Sequence, residues 1–269
     1  MPSAYAHYRF GAEMLKRIPE PLRRRIEPHR ALYDIGVHGP DILFYFHPLK
    51  KTDIRSSGDA MHARPGKVFF RKAAEIIRPL QGVDRARALA YVYGFITHFS
   101  LDSACHTDVQ RQVRATGESH TEIEVEFDRR LMAMDGCPER CPVEHIVANE
   151  ICAETIWPFY DAGVEKEHIL HSLKSMRFYG RLLDVRAPWV KKMLKRIMPM
   201  VDKSGELPGW MASGTNPALD GSVAVLLEKW QIGIARAEML MQEFEDVLNE
   251  KAPLNAAYEA TFGAEEDAK

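Results

Sequence analysis

The sequence predicts an all-α protein built as a single multi-helix domain. Three observations support this prediction. Apolar residues recur at three- and four-residue spacing over most of the 269 residues. Clusters of proline and glycine, such as HGP, ARPG and DGCPERCP, separate these segments. No long alternating run predicts a β-strand, and no internal repeat is visible. We therefore expect one domain over residues 1–262 and a frayed tail over residues 263–269.

The apolar periodicity predicts eight helices along the chain. They are expected near residues 4–17, 67–79, 84–106, 119–134, 142–158, 166–181, 187–201 and 220–249. Residues 202–219 form the longest stretch without this pattern. We expect this stretch to be either a lid or a simple connection before the last helix.

Charge and terminal composition limit the partners and the location. The net charge of −2 gives no bulk electrostatic reason to favour nucleic acid as a partner. The first residues lack a secretory signal pattern, and no segment has the roughly 20 apolar residues of a membrane span. We expect a cytoplasmic protein if the start is native, and a secreted one if a leader has been removed. Four cysteines are too few for a disulfide scaffold, although Cys137 and Cys141 leave a redox or weak metal site open.

The segment THFSLDSACH places His98, Asp102 and His106 on one helical stripe. On a helix that rises about 1.5 Å per residue, the two histidines are about 12 Å apart along the axis. Bonds of about 2 Å from one zinc ion cannot reach both imidazoles. The central carboxylate has two oxygens, which can serve one ion or bridge two. The spacing therefore suggests His98 and Asp102 on one ion and His106 on another.

A second pair, His120 and Glu124, has the same four-residue spacing at the start of the next predicted helix. If this helix packs antiparallel to the previous one, His106 meets the pair and three ligands surround one position. A single pair of this kind is usually an ordinary surface pair on a helix. Two pairs in succession favour a metal centre.

In order along the first 130 residues, the motifs AHYRFG, GPDILFYFHP, MH, GFITHFSLDSACH and HTEIEVEFD resemble the bacterial zinc-dependent phospholipases C, relatives of the P1-type nucleases. The resemblance implies an all-helical fold and two to three zinc ions in a cleft. It also implies the ligands. The first zinc ion would be held by Asp41, His62, His98 and Asp102, the second by His106, His120 and Glu124, and the third by His7 together with Asp102.

Some assignments within this resemblance leave alternatives open. His62, His47 and His38 are alternative ligands for the first ion. We prefer His62 because its separation from Asp41 leaves room for a loop that returns to the site. His38, His47 and Tyr45 are candidates for the substrate pocket or for support of the ligands. The chain begins Met1-Pro2-Ser3, whereas secreted members of the family use an N-terminal tryptophan as a ligand to the third ion. We interpret His29, His145, His168 and His171 as surface or packing residues.

The resemblance implies hydrolysis of a phosphodiester in a phospholipid head group by metal-activated water. Asp41 would orient the water or accept its proton. The phospholipid would be the partner, with peripheral membrane contact open, and the sequence does not specify an oligomeric state. A P1-type nuclease or another phosphohydrolase could use the same cluster, and a nuclease would need aromatic platforms such as Tyr33, Phe44, Tyr45, Phe46 and Trp210. A non-catalytic zinc- or lipid-binding protein is the third alternative.

Overall fold

The computed structural model describes residues 4–137, 143–183 and 215–263. Within these ranges the chain forms ten α-helices and no β-strand, which confirms the predicted all-helical class. The helices are α1 (Ala4–Arg17), α2 (Glu20–Ile26), α3 (Arg30–Gly36), α4 (Asp53–Ala63), α5 (Gly66–Ile77), α6 (Gly82–Thr116), α7 (His120–Met134), α8 (Glu150–Ile156), α9 (Lys166–Leu183) and α10 (Asp220–Leu248). Short 3₁₀ segments include Gly39–Tyr45 and Trp157–Phe159.

Helix α6 is the central element of the fold. It is 35 residues long, and from Ala88 to Val109 most of its side chains are buried. Helices α3 and α10 pack along it, and α1, α7 and α8 contact it as well. A helix that is apolar on most sides can be stable in water only when other helices surround it.

The crossing of α3 and α6 depends on two glycines. A Cβ atom added at Gly36 would overlap the backbone carbonyl of Tyr91, and one at Gly94 would overlap the carbonyl of Tyr33. The two helix backbones therefore approach more closely than any larger residue allows. This crossing fixes the start of the segment that leads to Asp41.

Side-chain caps define where several helices begin. Ser119 accepts a hydrogen bond from the Glu122 N–H at the start of α7, and Thr52 accepts one from the Arg55 N–H at the start of α4. Helix α6 ends at Thr116, and Gly117, which follows it, has a φ of 75° in the left-handed region. The short connection over residues 117–119 lets α7 turn back onto α6.

The structure corrects some predicted boundaries. Helix α6 extends ten residues beyond the predicted end at residue 106, to Thr116. The helix predicted over residues 142–158 begins only at Glu150, because Asn149 caps it by accepting a hydrogen bond from the Cys152 N–H. Pro158 has no N–H to continue the helix, and a 3₁₀ turn follows. The helix predicted over 187–201, most of the 202–219 stretch and residues 264–269 of the tail lie outside the described residues.

Among the described helices, none combines the length and the apolar character needed to cross a lipid bilayer.

Candidate metal centre

Five elements bring the eight predicted site residues to one place. Helix α1 carries His7, the 3₁₀ segment carries Asp41, and the last turn of α4 carries His62. Helices α6 and α7 carry the two motifs with four-residue spacing, namely His98, Asp102 and His106 on α6 and His120 and Glu124 on α7. The structure therefore gathers residues that lie far apart in the sequence.

The first group surrounds the two aspartates. His62 Nε2 lies 3.0 Å from Asp41 Oδ1 and 3.7 Å from Asp102 Oδ2. His98 Nε2 lies 3.1 Å from Asp102 Oδ2. Ligand atoms of His62, His98 and Asp102 all lie within 4.8 Å of one another, close enough to share one ion.

His7, on α1, lies next to this group. Its Nε2 lies 3.1 Å from Asp102 Oδ1 and 3.9 Å from Asp41 Oδ2, and its ring is 4.4 Å from the ring of His98. His7, Asp41 and His98 form a second set of atoms within 4.8 Å. Asp102 therefore contacts His7 with one oxygen and His98 with the other, which is the arrangement that a bridging carboxylate requires.

The third group of candidate ligands lies between α6 and α7. His120 Nε2 is 2.9 Å from Glu124 Oε1, and His106 Nε2 is 3.6 Å from the same oxygen. His106 Nδ1 lies 3.8 Å from Asp102 Oδ1, which connects this group to the others. The antiparallel return of α7 produces the three-residue cluster expected from the sequence.

The polar atoms of the cluster fit metal ions better than they fit one another. His98 Nε2 and Asp102 Oδ2 are close but are not aligned for a hydrogen bond, and both are buried without a hydrogen-bond partner. Glu124 Oε2 and Asp41 Oδ1 are also buried without a hydrogen-bond partner. Two atoms at about 2 Å from a tetrahedral zinc ion are about 3.3 Å apart, which resembles the observed spacings. Leaving such atoms unpaired is costly unless a ligand occupies the site.

Backbone contacts orient two of the imidazoles. His62 Nδ1 lies 2.8 Å from the Gly58 carbonyl oxygen, and His106 Nδ1 lies 3.2 Å from the Asp102 carbonyl oxygen. In a neutral imidazole, an Nδ1 that donates to a carbonyl leaves Nε2 unprotonated and able to bind a metal ion. Histidines that bind metals commonly use this arrangement.

Burial and charge shift the pKa values of the cluster. Burial raises the pKa of Asp102, but the imidazoles of His98, His106 and His7 outweigh burial and hold this pKa well below its usual value. Burial lowers the pKa of His62, but Asp41 outweighs it and raises the pKa to about 9. For His98 burial dominates, and its pKa is lowered. Without metal, protons on some imidazoles balance the buried carboxylates.

The members of the cluster differ in their exposure to solvent. The side chains of His62, His106 and His120 are 15%, 14% and 30% exposed, whereas those of His98 and Asp102 are 0% and 5% exposed. His62, His106 and His120 are therefore the members of the cluster that solvent reaches most readily.

Other predicted pocket residues lie around the centre rather than in it. His38 is buried, and its Nε2 is 2.8 Å from His145 Nε2. Burial lowers the pKa of both histidines, so that both are neutral and one donates to the other. His47 is exposed, and its ring lies 4.4 Å from the ring of His171 at an interplanar angle of 44°. Tyr45 is buried in the core.

Two supporting residues were not found from the sequence. Asp128, one turn after Glu124 on α7, accepts hydrogen bonds from the backbone N–H groups of Tyr5 and Ala6 at 3.0 and 2.7 Å. It thereby fixes the first turn of α1, which carries His7. Gly39 has a φ of 50° and lies against the imidazole of His98, where a Cβ would overlap the ring. The only sequence feature that could have indicated the role of Asp128 is its four-residue spacing from Glu124.

The described residues thus form a helical protein with three candidate metal-ligand groups. Residues 6–174 match the model of the zinc-dependent phospholipase C family, and the protein belongs to this family of hydrolases. Comparison with curated proteins and with solved structures gave no match. The family match confirms the predicted resemblance and the predicted enzyme class. The assignment of individual residues to zinc ions stays a prediction.

Proposed function

We propose that the protein hydrolyses a phosphodiester bond in phospholipids and releases the phosphorylated head group. The observation that carries this proposal is the position of Asp102, whose two oxygens face His7 and His98 at 3.1 Å while His106 lies 3.8 Å away. One carboxylate thus joins all three candidate groups. Family membership supports zinc as the metal and phospholipid as the substrate class.

The residues divide into three ligand sets in this proposal. Asp41, His62, His98 and Asp102 hold the first ion, and His106, His120 and Glu124 hold the second. His7 and Asp102 hold the third, with Asp41 nearby. Zinc ions bound there supply Lewis acidity that polarises phosphoryl oxygens and lowers the pKa of water toward about 7.

Asp41 is the residue that we propose as the general base. Its carboxylate is buried and lies 3.0 Å from His62 Nε2 and 3.8 Å from His98 Nδ1. In this position it can hold an attacking water by one oxygen and accept the proton. The water oxygen bonds to phosphorus, the bond from phosphorus to the glycerol oxygen breaks, and a proton passes to that oxygen.

The aromatic residues considered for base stacking do not favour a nuclease. Tyr33, Phe44 and Tyr45 are buried in the core and present no open face to a nucleic-acid base. Phe46 is partly buried beside His171, and Trp210 lies outside the described residues.

A substrate panel with zinc-loaded protein tests the proposal. The panel contains dihexanoyl phosphatidylcholine, dihexanoyl phosphatidylglycerol, single-stranded DNA and a phosphate monoester, with products identified by mass spectrometry. We expect diacylglycerol and phosphorylated head group from the lipids and no cleavage of DNA. Cleavage of DNA in preference to the lipids would instead assign a nuclease, and no cleavage of any substrate would indicate a non-catalytic protein.

Matched variants connect the activity to the cluster. His120 is the most exposed candidate ligand, so His120→Ala is expected to fold and to lose more than about a hundredfold in kcat/KM, because even supporting residues contribute about 10- to 100-fold. His168→Ala removes a histidine beside Phe46, outside the cluster, and is expected to keep full activity.

A further inference from the structure

Arg236 on α10 is a half-buried cation that contacts α6, the helix that carries His98, Asp102 and His106. Its NH1 donates a 2.6 Å hydrogen bond to Ser103 Oγ on α6. Within the described residues, no carboxylate lies within ion-pair distance of Arg236. Arg111 on α6, by contrast, is paired with Asp108 at 2.8 Å.

Ser103 holds the guanidinium at a defined place. Its hydroxyl donates to the Phe99 carbonyl oxygen at 2.6 Å, so an oxygen lone pair remains to accept from Arg236. Ser103 follows Asp102 in the sequence and precedes His106 by three residues. Side chains at this spacing are neighbours on a helix, with Cβ atoms about 5–6 Å apart. Ser103 therefore holds the guanidinium against the part of α6 that carries Asp102 and His106.

Among residues 4–137, 143–183 and 215–263, no carboxylate compensates the charge of Arg236. Burial lowers the pKa of its guanidinium, and the charge nevertheless persists because arginine stays protonated in proteins. One of its five N–H donors is used by Ser103. A partly desolvated cation with free donors is a recognition group for a carboxylate or phosphate oxygen.

We propose that Arg236, positioned by Ser103, forms a subsite for a negatively charged substituent of the substrate head group. This inference rests on the proposed function and makes it more specific. The preferred substrates are phosphodiesters with an anionic head group rather than a cationic, choline-type one. Arg236 lies outside residues 6–174, so the family match does not assign this role.

Three phosphate monoesters that differ only in the charge of the substituent provide the test. These are 2-phosphoglycolate with a carboxylate, ethyl phosphate with a neutral group, and phosphocholine with a cation. Their dissociation constants are measured by isothermal titration calorimetry with zinc-loaded protein. Because a hydrogen-bonded charge pair contributes about 1.5–3 kcal/mol, we expect phosphoglycolate to bind the wild type about tenfold or more tightly than phosphocholine.

Variants separate this subsite from general charge effects. Arg236→Gln is expected to bind the three ligands within about threefold of one another while keeping its zinc content and Tm. Ser103→Ala is expected to reduce the preference partly. Lys229→Gln is the matched control, because it removes a cation from the same helix, where Lys229 pairs with Asp108 at 3.0 Å. Lys229→Gln is expected to bind the three ligands in the same order of affinity as the wild type.

The outcomes distinguish this inference from the proposed function. If the wild type binds all three ligands equally, or if Lys229→Gln changes the order as Arg236→Gln does, the Arg236 subsite is overturned and the metal centre stands. If the zinc-loaded wild type binds none of the three, the proposed function is contradicted together with this inference.

Discussion

Gly39 lies directly against the imidazole of His98, with a backbone φ of 50° that favours glycine. The candidate centre therefore includes a position where any side chain would displace a proposed ligand. Because Gly39 precedes Asp41 by two residues, this contact also fixes the 3₁₀ segment that carries the proposed base.

Gly39→Ala is expected to destabilise the protein by about 3 kcal/mol and to weaken zinc binding. Left-handed backbone costs about 1–2 kcal/mol for an L-residue, and the overlap with His98 adds about 1–3 kcal/mol. Gly82→Ala is the control, because Gly82 has a φ of 53° with open space around its Cα. Chemical denaturation and zinc titration should show only the backbone cost in Gly82→Ala. Equal effects of the two variants would contradict the role of the Gly39 contact.

Asp128→Ala is expected to loosen the first turn of α1 and to reduce zinc binding through His7. The substitution removes the acceptor for the Tyr5 and Ala6 N–H groups, and losing such a cap costs about 1–2 kcal/mol. Urea denaturation gives the stability change, and elemental analysis gives the zinc content.

Asp135→Asn provides the comparison for Asp128, because Asp135 also connects α7 to α1 through Arg9 and the Tyr5 hydroxyl. This carboxylate is 32% exposed, so we expect a loss below about 1 kcal/mol and unchanged zinc content. If Asp128→Ala kept the wild-type stability and zinc content, Asp128 would have no role in positioning His7.

The metal-free protein is expected to lose stability between pH 6.5 and pH 9. Asp41 raises the pKa of His62 from 6.5 to about 9 in the folded state, so the protonated form stabilises the fold. This contribution is fully present below pH 6.5 and is lost as the pH rises through about 9. Thermal unfolding of the metal-free protein at pH 6.5, 7.5 and 9 measures it.

Zinc binding is expected to have the opposite pH dependence, with an affinity that rises with pH. A ligand imidazole must release its proton before it binds the metal, so the apparent zinc affinity should rise by about tenfold per pH unit for each proton released. Competition with a chromophoric chelator at pH 6, 7 and 8 measures the slope, and His168→Ala should leave it unchanged. A zinc affinity independent of pH would contradict the assignment of His62 as a ligand.

The sequence predicted the candidate ligands that share a helix better than those that tertiary packing brings together. His98, Asp102, His106, His120 and Glu124 could be placed from four-residue spacing, because a helix fixes the relation between such positions. Residues that meet through tertiary packing gave no such pattern. His7, Asp41 and His62 were therefore connected to the cluster only through the family resemblance.

The contacts missed from the sequence are long-range as well. Helices α2 and α3 have seven residues each, too few for apolar periodicity to identify. The bonds of Asp128 to Tyr5 and of Arg236 to Ser103 join helices far apart in the chain. Gly39 could be recognised as a turn residue, but its contact with His98 depends on how the 3₁₀ segment packs on α6.

The zinc content of the purified protein, measured by elemental analysis for the wild type and for Asp102→Ala, tests the central claim most directly. Asp108→Ala is the control, because Asp108 lies on the same helix and pairs with Lys229 outside the cluster. We expect two or three zinc ions in the wild type and in Asp108→Ala, with at least one lost in Asp102→Ala. One ion or none in the wild type after zinc supplementation, unchanged in Asp102→Ala, would contradict a clustered zinc centre bridged by Asp102.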